Sequence, residues 1–152
     1  MIVLPPSEGK ARPISPRPVD LDTLFAPQLR AARRTVATAL GALGTGEEAC
    51  RQLKLGPKSA DQVQWNTDLS WGAPAADIYT GVLYQAAHLS PATRAVVIFS
   101  ALYGVLRPCD VIAPYRLPAS ARLPGLGAIG RWWKPHLAAV LDAQADAAGM
   151  VI

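Results

Sequence analysis

Apolar residues open the chain at Ile2, Val3 and Leu4, and Pro5–Pro6 stops them, which predicts a short first strand. Residues 7–18 are polar and rich in proline and predict an irregular loop. Asp20 is placed to cap a helical turn ending near Phe25, and Pro27 suits the first position of a longer helix. Along that helix Leu29, Ala32, Val36, Leu40 and Leu43 recur at three- and four-residue steps, an amphipathic face from which Arg30, Arg33 and Arg34 mostly diverge. Gly41 and Gly44 end it. Residues 47–53 predict another short helix, and residues 53–60 turn into a third. Trp65 and Trp71 flank a polar loop. Residues 78–88 read as a helix with Val82, Leu83 and Ala86 facing inward, and residues 132–148 as the last helix, with Pro135 near its first turn. Gly149 stops that helix, and Met150, Val151 and Ile152 begin a further strand.

The strongest pattern lies at residues 96–117. β-branched Val96, Val97 and Ile98 head an apolar run that is too short to cross a membrane and suits a buried strand. Ser100, Tyr103, Gly104, Arg107, Asp110, Tyr115 and Arg116 follow among prolines that forbid a continuous helix. The loop through Pro108, Pro114, Pro118 and Pro124 is long for a compact domain, a property of functional loops. An open α/β sheet presents its site in this way, at the carboxyl ends of buried strands. The expected fold is therefore α/β, a mixed or largely parallel sheet with surrounding helices, incomplete at the C-terminus. A chain of 152 residues fits one domain with a sizeable core.

Charge adds a direction. Fifteen Lys and Arg face eleven Asp and Glu, a formal net charge of +4, and most of the cations are arginine, the residue suited to bidentate phosphate contact. A GC-rich coding bias accounts for arginine, alanine and proline equally well. Cys50 and Cys109 form no CxxC pair and read as reduced thiols. The N-terminus lacks the pattern of a signal peptide, and no apolar stretch reaches the length of a membrane span. The expectation is a soluble cytoplasmic protein, with no cofactor, no membrane and no obligate protein partner.

The candidate chemistry gathers around the strand ends. Gly9–Lys10 after a first strand invites a P-loop reading, but Ala11 follows Lys10 and the first glycine of that motif is missing. A Ser7-Glu8-Gly9-Lys10 loop at the mouth of the sheet survives, with Lys10 either touching a ligand or solvated. Arg107 and Arg116, from one loop, either clamp a phosphate or brace the loop internally, with Asp110 holding one of them. Tyr79, Tyr103, Tyr115 and Trp132 offer flat faces for base stacking beside those cations, or else belong to the core. Lys58, after Gly56–Pro57, adds charge where a tight turn feeds a helix start, although Pro57 removes one N–H donor and an ordinary helical hairpin fits equally. Ser7 and Ser100 lie at strand ends without a histidine in a motif to serve them: His88 is expected to end its helix and His136 to lie on a helix surface. No Cys, His or carboxylate grouping has metal-ligand spacing. Glu8 with Asp110 is a possible acid/base pair across the cleft.

The segments VLPPSEGK, IYTGVLYQA, SALYGVLRPCD and PYRL, with LPGLG and the Trp132–Trp133 pair, come in the order in which they occur in the YaaA family of bacterial peroxide-stress proteins. The chain resembles that family over essentially all of residues 1–152, and family members continue beyond the point where it stops. The resemblance implies a peroxide-stress protein that binds DNA and limits iron-driven damage, with Lys10 in a cleft and a helix-hairpin-helix element around Lys58. The partner so implied is double-stranded DNA with weak sequence preference. The rival reading is an enzyme acting on a nucleotide or nucleoside in the same cleft, of N-glycosidic hydrolase type. There Lys10, Arg107 and Arg116 would hold phosphate and Glu8 or Asp110 would do acid/base work.

Overall fold

A computed structural model describes residues 1–148. The strand expected at Met150–Ile152 lies outside the described residues. Strand β1 (Ile2–Leu4) pairs in parallel with β4 (Val96–Ser100), Val3 opposite Val97, and β4 pairs antiparallel with β5 (Gly104–Leu106) to complete a mixed three-stranded sheet. β4 and β5 are apolar on both faces because both are covered, so they carry no alternation. A second, antiparallel sheet joins β2 (Arg17–Pro18), β3 (Trp71–Pro74) and β6 (Val111–Ile112), and β7 (Arg122–Leu123) pairs with β8 (Gly127–Ala128). The class is mixed α/β, as expected, and the principal sheet is the mixed one of the two alternatives.

Helices surround these sheets. α1 (Arg30–Ala42) follows a 3₁₀ turn at Pro27–Leu29 and buries Leu29, Ala32, Val36 and Leu40. α2 (Glu47–Gln52) runs into a turn in which Lys54 adopts a positive φ of 56°, and a 3₁₀ helix, Ala60–Thr67, completes the hairpin. α5 (Ile129–Ala148) packs Ile129, Trp133, Leu137 and Val140 against the mixed sheet. Burying each such side chain contributes about 1.5–3 kcal/mol.

Three local expectations fail for identifiable reasons. The helix expected over residues 78–88 splits into α3 (Ala75–Ile78) and α4 (Val82–Ala87), because Tyr79 leaves the helix to form a bridge with Lys10. Val82, Leu83 and Ala86 then face solvent and Tyr84 faces the core, its hydroxyl donating to Pro5 O at 2.6 Å. The long loop after β4 contains a tight hairpin. Gly104 turns it at φ 80°, and a Cβ there would stand 2.9 Å from the Trp133 ring. The turn at Asp20 is capped by the Asp20 carboxylate accepting from Asp22 N, but no helix follows it.

Arg33 is the largest correction within the core. It is 1% exposed, and its guanidinium donates to the carbonyls of Tyr103, Ala26, Phe25 and Val105. It thereby ties α1 to the β4–β5 hairpin and to the chain entering the helix. Burial lowers its pKa to about 10, opposed by the charge of Asp110.

Candidate functional site: a cationic cavity beside the first strand

Pro5–Pro6 ends β1 and releases the Ser7–Lys10 loop, which four contacts hold in place. Ser7 Oγ accepts from Gly81 N and donates to Gly9 O, both at 2.9 Å. Thr80 N donates to Gly9 O at 3.0 Å and Ala11 N to Ile78 O at 2.8 Å. A side chain at position 81 would collide with Ser7 Oγ, 2.5 Å from an ideal Cβ, so the glycine permits this close approach.

The facing wall is the chain leaving β6. Asn66 grips it as a neighbouring strand would, its Nδ2 donating to Arg116 O and its Oδ1 accepting from Arg116 N, each at 2.9 Å. Tyr115, 1% exposed, shares hydrogen bonds with Tyr79 Oη at 2.9 Å and Ser100 Oγ at 2.8 Å, and Ser100 Oγ also accepts from Tyr103 N. Burial raises the pKa of Tyr79 and Tyr115, so this hydroxyl chain stays neutral.

Between the walls is a cavity of about 220 Å³ lined by Ser7, Glu8, Lys10, Tyr115, Arg116 and Ser120, among others. The Lys10 ammonium lies 4.3 Å from the centre of the Tyr115 ring and donates to Ser7 O at 2.8 Å. Arg116 Nη1 donates to Glu8 O at 2.9 Å, while its buried Nε has no partner among the described residues. Desolvation first, and the Arg116 charge second, lower the Lys10 pKa to about 7 against a smaller opposing effect of Glu8. An apolar cavity of about 270 Å³, lined by Phe99, Ser100 and Trp133, adjoins it across Pro6 and Ala119.

The structure thus gathers Ser7, Glu8, Lys10, Tyr115 and Arg116 and sets the other candidates elsewhere. Tyr79 lies beneath the Lys10 amine, 5.6 Å from ring centre to nitrogen, and Tyr103 is core, so neither presents a face for stacking. Arg107 donates to Arg94 O and lies over the Phe25 ring at 4.5 Å, so it and Arg116 form no common clamp. Asp110 accepts from Phe25 N and Arg107 N and does not line the cavity, which separates it from Glu8. Burial raises its pKa against those N–H groups and the charges of Arg33 and Arg107. Trp132 is half-buried on α5, edge-on to Trp133 and stacked on exposed His136 at 4.4 Å. His88 ends α4 in the left-handed conformation.

Two residues of the region were not singled out from sequence. Asn66, 8% exposed, sits mid-way along a polar stretch, and nothing in its spacing marks it. Lys54 reaches from the hairpin turn to Ser120 Oγ at 2.8 Å, on the rim of the cavity. Lys58 is exposed on the next turn. Among the described residues no three His, Cys, Asp or Glu side chains are grouped to hold a metal ion, and no helix is long and apolar enough to cross a membrane.

The profile of the family described as peroxide stress protein YaaA matches residues 1–152. A UPF0246 protein of Streptomyces coelicolor is 38% identical over 164 aligned residues, covering all of this chain and 63% of its own length. A UPF0246 protein of Corynebacterium efficiens is 38% identical over 131 residues, with 82% of this chain and 53% of that protein aligned. One from Porphyromonas gingivalis is 34% identical over 108 residues, 60% of this chain and 41% of its own. The chain therefore spans between about half and two thirds of the length of the first two relatives. With a match running from the first residue to the last, this chain belongs to the peroxide stress protein YaaA family.

Proposed function

We propose that the chain binds double-stranded DNA by its phosphates, without strong sequence preference, as a cytoplasmic protein that limits iron-driven damage during peroxide stress. The observation that carries the reading is the Lys54–Ser120 contact, which joins the α2 hairpin turn to the rim of the cavity holding Lys10 and Arg116. Cations from three distant parts of the sequence then share one face, with Lys58 on the adjoining turn. Such a face tracks a phosphate backbone and carries no base-reading side chain of its own. The hairpin serves as the helix-hairpin-helix element in this reading, with Lys54 and Lys58 rather than the Pro57 backbone supplying the contacts. The nucleotide hydrolase reading lacks its second carboxylate, since Asp110 is engaged by the Phe25 and Arg107 amides.

Fluorescence anisotropy with a labelled duplex tests this. Three phosphate contacts from Lys54, Lys58 and Arg116, with Lys10 only partly charged near neutrality, predict a slope of log K against log salt of about −3. A slope near zero, or no binding by folded protein at low salt, refutes the reading.

A further inference from the structure

We propose that Lys10 binds covalently to abasic sites in DNA, its amine condensing with the C1′ aldehyde of the base-less deoxyribose while Arg116 holds a flanking phosphate. The inference rests on the DNA reading above and names the form of DNA that the cavity accepts.

Three features of the cavity lead there. The first is the amine itself. Lys10 lines the half-open cavity, and two backbone carbonyls, Ser7 O at 2.8 Å and Glu8 O at 3.5 Å, are placed to accept two of the hydrogens on its Nζ. A neutral amine held in this way keeps its lone pair for an electrophile. Desolvation and the neighbouring guanidinium, which lower the Lys10 pKa to about 7, supply that neutral form near neutrality. A desolvated lysine beside a second cation is a general means of making an amine nucleophilic.

The second feature is the anion seat. Arg116 uses Nη1 on Glu8 O and its Nε is buried, while Nη2 makes no hydrogen bond among the described residues, which leaves that nitrogen to donate to a phosphate oxygen at the cavity Arg116 lines. The third is size. At about 220 Å³ the cavity is smaller than the roughly 300–1,000 Å³ of pockets that enclose a whole drug-sized ligand. It suits a sugar-phosphate unit without its base, and an abasic site presents an aldehyde between two phosphates.

The chemistry balances without a co-reactant. Nζ attacks C1′ of the open-chain sugar and forms a carbinolamine. The carbinolamine then loses one water, its oxygen coming from the aldehyde and its two hydrogens from the amine, to leave an imine. No atom changes oxidation state overall.

Borohydride trapping tests the proposal. The 152-residue chain is incubated with a duplex containing one abasic site, reduced with borohydride, and resolved on a denaturing gel. We expect a covalent adduct that mass spectrometry maps to the peptide bearing Lys10, and no adduct with the undamaged duplex. Lys10→Arg, which keeps the charge, should lower the yield at least tenfold while retaining salt-sensitive binding to undamaged DNA. Lys134→Arg, at an exposed lysine on α5, should leave the yield unchanged. No adduct from the wild-type chain, or an adduct mapped to the N-terminal amine or another lysine, overturns the proposal. So does trapping with a free aldose phosphate but not with the abasic duplex. Mapping on the wild-type chain decides the matter even where a variant folds poorly. Binding to undamaged duplex is measured separately, so failure to trap with binding intact removes this inference alone.

Discussion

Replacing Lys10 with methionine should stabilise the fold most at low pH, with the gain shrinking as pH rises. The amine titrates near 10.5 in an unfolded chain and at about 7 in the folded one. Between those values the unfolded state carries a proton that the folded state lacks, so folding becomes more favourable as pH rises through that window. Below about 7 both states are charged and the cost of burying the charge is present in full. The full shift corresponds to about 4–5 kcal/mol at about pH 6 and about 2 kcal/mol at about pH 9. Solvent reaching a partly exposed ammonium reduces both figures, so the expected change between those two pH values is about 1–2.5 kcal/mol. Methionine keeps the length of the side chain and removes its charge. It also removes the donations to Ser7 O and Glu8 O, which together cost about 1–3 kcal/mol. The absolute difference between the two proteins therefore has a pH-independent part, and the dependence on pH isolates the buried charge. Urea denaturation of both proteins at several pH values, followed by tryptophan fluorescence, measures it. A difference that stays flat with pH, or grows as pH rises, would refute the assignment of Lys10 as a charge held against its own desolvation.

Arg33→Met should destabilise the protein by about 3–5 kcal/mol, because four backbone carbonyls lose their donor and Asp110 loses a nearby charge. A loss under about 1 kcal/mol in the same denaturation assay would mean that water replaces the guanidinium freely. Gly72→Ala should cost about 3 kcal/mol or more, since a Cβ there falls 1.8 Å from Ile112 O and backbone cannot step aside. Thermal melting that matches the wild type would contradict the pairing of β3 with β6. Arg116→Ala should weaken duplex binding by about 1.5–3 kcal/mol with a small change in melting temperature. Arg107→Ala should do the reverse, losing its contacts with Arg94 O and the Phe25 ring while keeping affinity. Equal loss of affinity in both variants would restore the two-arginine clamp.

Much of the architecture was legible wherever one stretch of chain settles its own structure. The β1 and β4 strands follow from β-branched runs ended by proline or by polar residues, and α1 follows from its apolar period and the proline at its start. Lys10, Ser7 and Glu8 were legible as a loop at a strand end. Arg33 carried a signal that charge concealed: it stands four residues after Leu29 and three before Val36, in register with the buried stripe. A cation there reads as solvated until the carbonyls that receive it are known, and these come from residues as far away as Val105.

Local periodicity and ordered motifs do not depend on what lies opposite them, so the α/β class, the family and the net positive charge could be read along the chain. Packing between distant segments selected which candidates meet. It broke the helix at Tyr79 to pair that residue with Lys10, and it sent Tyr79, Tyr115 and Ser100 into a buried hydroxyl network. Arg107 and Asp110 became braces, although they share a motif with Arg116. Lys54 and Asn66 came to the cavity from other elements. The contacts that bring Lys10, Tyr79, Asn66 and Lys54 to the cavity join residues dozens of positions apart, and desolvation, which sets the character of Lys10, exists only once the two walls have closed around it.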